Sequence, residues 1–96
     1  MSQAARNTKN SKGSKSPKAE RAFLGGLGDV VRERRLALNL SQEELANKAG
    51  VHRTYLSDIE RGARNITVTV LARIADALEV KVSRLFRLAE REWQDS

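Results

Sequence analysis

The stretch QEELANKAGVHRTYLSDIER, Gln42 to Arg61, decides the fold. Leu45, Ala46 and Ala49 recur at helical spacing, Gly50 interrupts, and Leu56 with Ile59 resumes the spacing. The pattern predicts two short helices, 42–49 and 53–61, joined by a tight turn. Such a pair needs a small residue where the helices touch, and Ala46 meets that. It needs a turn residue that tolerates positive φ, and Gly50 meets that. It needs apolar residues that lock the second helix down, and Leu45, Val51, Leu56 and Ile59 meet that. A pair built this way suits groove reading: the first helix crosses a nucleic-acid backbone while the second inserts its N-terminal residues.

Working outward, Ser41 precedes the first of these helices with Glu44 three residues on, the pattern of a capping box. His52 takes the capping position of the second, and Gly62 is a natural stop. A basic loop, Ala63 to Ile66, follows. Thr67 caps a fourth helix in which Leu71, Ile74, Ala75 and Leu78 form an i, i+3, i+4, i+7 stripe. Ser83 caps a fifth, about Arg84 to Trp93, with Leu85 and Phe86 facing inward. Toward the N terminus, Leu27, Val31 and Leu38 place a first helix over about Leu27–Asn39. Phe23 to Gly28, with three glycines, reads as a turn leading into it. The fold class is all-α, a five-helix bundle, and no convincing strand or internal repeat is present.

Residues 1–22 differ in character. They are rich in Ser, Lys, Asn and Gln, and their only apolar side chains are Met1 and four alanines. Too little can be buried there to offset the entropy of ordering, so the segment reads as a flexible basic arm ahead of a single domain, 23–96. The chain carries a net charge of +6. Six of its 18 basic groups but one of its 12 acids lie in the arm. The remainder is close to neutral, so an anionic partner is argued from where the charges sit rather than from their sum.

Several function classes recede. The chain has no cysteine, one histidine and no apolar run near the roughly 20 residues a membrane span needs. No paired carboxylates, phosphate-cradling glycine loop or Ser/His/Asp arrangement stands out. The expectation is a cytoplasmic protein with no metal, no cofactor, no membrane partner and no catalysis.

On the reading helix, His52, Arg53, Thr54, Ser57 and Asp58 lie opposite Leu56 and Ile59, where base contacts would be made. Arg53 can bond both acceptors of a guanine edge, and Thr54 can meet a thymine methyl. Asp58 either accepts from a cytosine amino group or orients Arg53. Tyr55 lies to one side, suited to a phosphate or to packing. Ser41 and Gln42 stand at a helix N-terminus, where backbone dipoles favour a phosphate.

The residues Leu40-Ser41-Gln42-Glu43-Glu44-Leu45-Ala46, Gly50-Val51, Leu56-Ser57 and Ile59-Glu60-Arg61-Gly62 resemble the phage repressor and Cro-type helix-turn-helix family, the lambda-repressor-like fold. The resemblance covers about residues 27–88. Arg53-Thr54-Tyr55-Leu56-Ser57, with the loop Ala63-Arg64-Asn65-Ile66-Thr67, is similar to restriction-modification controller proteins. The resemblance implies a homodimeric transcription regulator on paired sites in double-stranded DNA. It implies Gln42, Arg64 and Asn65 as backbone contacts and a structural salt bridge between Arg35 and Glu60. Two other roles use the same fold: an antitoxin that also holds a toxin, and a protein-interaction module. Arg53, Thr54 and Arg64 on the reading face argue against the module.

A single reading helix touches few bases, so two copies related by a two-fold axis are expected. Val68, Val70, Leu88 and Trp93 are apolar side chains left without an obvious place in the core. Together they form the candidate dimer interface.

Overall fold

A computed structural model describes the backbone of residues 17–95 and the side chains of residues 18–91. Among the described residues five helices follow in order: α1 (Pro17–Ala37), α2 (Gln42–Ala49), α3 (Arg53–Glu60), α4 (Val68–Ala77) and α5 (Val82–Asp95). None is long and apolar enough to cross a membrane among the described residues. Residues 1–16 lie outside those described.

The caps form as their sequences dictate. Ser41 Oγ accepts from the Glu44 N–H at 3.0 Å, and the Glu44 carboxylate accepts from the Ser41 N–H at 2.8 Å. Thr67 Oγ1 accepts from the Val70 N–H at 3.1 Å. His52 caps α3 through its extended backbone, without a side-chain bond. At the other ends the chain turns through left-handed residues: Asn39, Gly50, Gly62 and Glu79. The N–H groups of Asn39 and Leu40 close the last carbonyls of α1, and those of Glu79 and Val80 do the same for α4.

Two helix boundaries depart from the sequence reading. The first helix begins at Pro17, not near Leu27, so residues 17–22 belong to it rather than to an arm. Gly25, Gly26 and Gly28 lie inside that helix instead of forming a turn. At Gly28 the glycine meets a close approach that local propensity does not report. A Cβ on Gly28 would sit 2.4 Å from the Ile59 carbonyl oxygen and 2.7 Å from that of Glu60. Bare backbone lets α1 rest on the end of α3. Likewise α5 begins at Val82, which places Ser83 in its first turn and not at its cap.

The core has two connected parts. Val31, Leu45, Ala46, Leu56, Ile59, Ile74 and Leu78 fill the space among α1, α2, α3 and α4. Leu27, Val30, Leu71, Ala75, Leu85 and Ala89 join α1, α4 and α5. Because α1 is long, it runs beside α5, and the outcome for α5 differs from the reading. Phe86 is 40% exposed instead of inward, its ring 5.8 Å from that of Phe23 at an interplanar angle of 64°. Leu88 is half-buried against the second cluster, and Val70 against the first. Val68 stands 76% exposed. The side chain of Trp93 lies outside those described.

Candidate nucleic-acid interface

The reading helix is held from below by a buried ion pair. Arg35 of α1 donates from Nε to Glu60 Oε2 at 2.7 Å and from Nη2 to Glu60 Oε1 at 2.9 Å. A third bond runs from Arg35 Nη1 to the Leu40 carbonyl at 2.9 Å. Arg35 is 8% exposed and Glu60 5%. The Glu60 carboxylate raises the Arg35 pKa, overcoming the opposing effect of burial. The pair implied by resemblance is therefore present, and it is bidentate, the strongest form of such a contact.

Gln42 joins the same cluster. Its Nε2 donates to Glu60 Oε1 at 3.0 Å, tying the start of α2 to the end of α3. This bond was not foreseen from the sequence. The bond uses one of the two Nε2 hydrogens and holds the amide at the helix start, beside the Gln42 backbone N–H. The Ser41 hydroxyl oxygen is likewise engaged by the capping box, so its own O–H is what remains to donate.

Above this bracket, His52, Arg53 and Thr54 are exposed in the first turn of α3, while Ser57 and Asp58 are half-buried one turn further on. Arg53, Thr54, Ser57, Asp58 and Arg61 line one shallow depression of about 260 Å³. The structure therefore brings Arg53, Thr54, Ser57 and Asp58 together around it, with His52 exposed at the cap of α3.

The partner of Asp58 differs from the one expected. It accepts from Arg61 Nη2, and from Arg64 Nε at 3.3 Å and Nη2 at 3.1 Å, rather than orienting Arg53. Arg61 also donates from Nη1 to Ser57 Oγ at 2.9 Å. The sequence reading passed over Arg61. Its signal was the i, i+3 spacing from Asp58, which puts opposite charges side by side on a helix face. The two guanidinium groups, Arg64 foremost, hold the Asp58 carboxyl below its ordinary pKa. The Arg64 guanidinium carbon lies 4.8 Å from the centre of the Tyr55 ring, so the half-buried Tyr55 packs against Arg64. Asn65 is exposed beside it.

No group of three His, Cys, Asp or Glu among the described residues could hold a metal ion. A larger depression of about 450 Å³ lies between α1 and α5, with Val30, Val80, Leu85 and Leu88 in its lining and no residue of α3.

Comparison with known proteins places this geometry. Residues 31–85 match the helix-turn-helix family. The control protein C.SmaI of Serratia marcescens is 46% identical over 59 residues, covering 62% of this chain and 70% of that protein. The structure of the restriction-modification controller protein C.AhdI from Aeromonas hydrophila aligns with a TM-score of 0.65 at 40% identity, covering 66% of this chain and 96% of the other. The C.Esp1396I controller, solved as a tetramer in complex with its natural 35 base-pair operator, aligns with a TM-score of 0.67 at 36% identity, covering 75% and 95%. With the family match spanning more than half of its length and the turn, caps and bracket in place, the chain belongs to the helix-turn-helix family.

Proposed function

We propose that this protein is a sequence-specific DNA-binding transcription regulator of the restriction-modification controller kind, acting as a homodimer on a palindromic operator in the cytoplasm. The observation that carries the reading is the first turn of α3. There Arg53 and Thr54 stand exposed on a helix fixed to the scaffold by the buried Arg35–Glu60 pair. A side chain that reads a base must be held in place by something that does not move with it, and that pair supplies the hold.

In this reading Arg53 and Thr54 contact base edges, with His52, Ser57 and Asp58 at the margins. Ser41, the Gln42 N–H, Tyr55, Arg64 and Asn65 meet the DNA backbone and set register. The role is binding, not catalysis. The basic residues ahead of α1 would add phosphate affinity. The second copy supplies a second half-site about one helical turn away, roughly 34 Å. Val68 on α4 and Leu88 on α5, with Val70 and Trp93, are the proposed contact between copies.

The test is selection of duplexes from a random-sequence pool, followed by affinity measurements. Arg53→Ala should cost roughly 1–3 kcal/mol on the selected duplex and relax selectivity at one position. Unchanged affinity on both selected and scrambled duplexes would overturn the reading. For the dimer, Val68→Asp is the cleaner probe, because its exposure removes any cost to the core. Sedimentation equilibrium should show a dimer for the wild type and dissociation for the variant.

A further inference from the structure

Asp58 grips two guanidinium groups, and it grips them differently. Arg61 donates from Nη2 to Asp58 and from Nη1 to Ser57 Oγ, so the outer edge of its fork is occupied. Arg64 is held along its side edge, through Nε and Nη2, while its face lies over the Tyr55 ring. Its outer edge, Nη1 with the second hydrogen of Nη2, has no acceptor among the described residues. A guanidinium carries five donors in one rigid plane, so fixing one edge and the face aims the other edge. That free edge is a two-donor fork. It matches the O6 and N7 of guanine, or two oxygens of a phosphate.

We propose that Asp58 is a specificity-determining positioning residue: it fixes Arg64 as an aimed fork for a two-acceptor group on DNA, and its charge disfavours binding through phosphates alone. The inference rests on the DNA-binding reading given above. Two arginines and one carboxylate net a single positive charge. Loose, sequence-independent binding is electrostatic and follows that net charge, so the carboxylate weakens affinity for every duplex. On a duplex that brings a guanine edge onto the fork, or whose sequence-dependent shape places a phosphate there, the loss is offset, because Arg64 arrives already ordered and gives up little rotamer freedom. On any other duplex nothing offsets it. The half-buried position of Asp58 fits this role: the carboxylate sits behind the two arginines, whose side chains are the more exposed.

The experiment compares the full chain with Asp58→Asn and Asp58→Glu. Two probes are used over a salt series: the duplex that the wild type selects from a random pool, and a scrambled duplex of the same composition. Asp58→Asn removes the charge at constant size. Its affinity for the scrambled duplex should rise about five- to tenfold at about 0.1 M salt, with a salt slope steeper by about 0.9 per protomer. Its affinity for the selected duplex should rise less or fall, so the ratio between the two drops severalfold. Asp58→Glu should keep the wild-type salt slope. Duplexes carrying 7-deazaguanine or methylphosphonate at single positions identify the acceptor. The modification that weakens the wild type but not Arg64→Ala marks the group the fork meets. An unchanged ratio in Asp58→Asn overturns the inference, as does the lack of any such position with either modification. If the wild type selects no duplex at all, the DNA-binding reading itself falls, and this inference with it.

Discussion

Arg34 of α1 donates its Nε to the Leu78 carbonyl at the end of α4, 2.9 Å away. The last carbonyls of a helix lack intrahelical partners and carry partial negative charge. A cation from a distant helix therefore closes α4 and fastens it to α1 in one contact. Arg34→Met keeps the apolar stem and removes the head. It should lower stability by about 1–2 kcal/mol, the range for a partly exposed bond from a charged donor. Arg34→Lys should recover part of this, since an ammonium still suits the helix end. Urea unfolding of the three proteins checks it, and equal midpoints would show that the bond contributes nothing.

Gly28 and Gly25 make opposite predictions from the same helix. Gly28→Ala forces a Cβ onto two backbone carbonyls of α3, neither of which can swing aside. The expected loss is about 1–3 kcal/mol. A Cβ on Gly25 meets nothing within 4 Å. Gly25→Ala should therefore stabilise the protein by about 0.5–1 kcal/mol, the helical preference of alanine over glycine. Thermal melts that move both variants in the same direction would contradict the packing of α1 on α3.

The Arg35–Glu60 pair should behave as a unit. Removing either partner leaves a buried charge without its counterpart, and each single substitution to alanine should cost about 3–5 kcal/mol. The double substitution should cost much less than the sum. Additive losses in a double-mutant cycle would show that the two side chains do not interact. Glu60→Gln is expected to lie between wild type and Glu60→Ala, because a neutral amide can still accept from Arg35 and Gln42.

The acid side of the pH profile is set in part by Asp58. Its folded pKa is depressed, so its contribution to stability is fully present above the unfolded value and fades as pH falls through the folded value. Carboxyl-carbon NMR should place its midpoint below 3.8, the ordinary value for an aspartate. Arg64→Ala should move that midpoint upward, and Arg61→Ala should do so too. A midpoint at or above the ordinary value would show that the two arginines do not hold the carboxylate in solution.

Some of this protein was written locally in its sequence. The helix pair, its turn and the cap of α4 follow from residues a few positions apart: Ser41 with Glu44, Thr67 with Val70, and left-handed Gly50 and Gly62. The α4 stripe of Leu71, Ile74, Ala75 and Leu78 is buried as its spacing required. The exposed first turn of α3 follows from the same periodicity, because Leu56 and Ile59 fix which face turns away.

Tertiary structure decided what distance along the chain concealed. Gly25, Gly26 and Gly28 carry the local signal of a turn, yet all three are helical, and at Gly28 the backbone of α3 comes too close for any side chain. That longer α1 lies along α5, which leaves Phe86 on the surface against Phe23. The head of Arg34 found a carbonyl 44 residues away, and the Gln42 amide found a carboxylate 18 residues away. Asp58 could have met Arg53, Arg61 or Arg64, all near it in sequence. Only the course of the loop after Gly62 brings Arg64 back over Tyr55 and onto that carboxylate. Periodicity reports which face of a helix is buried, but a charged side chain takes its partner from whichever neighbour the packed helices deliver.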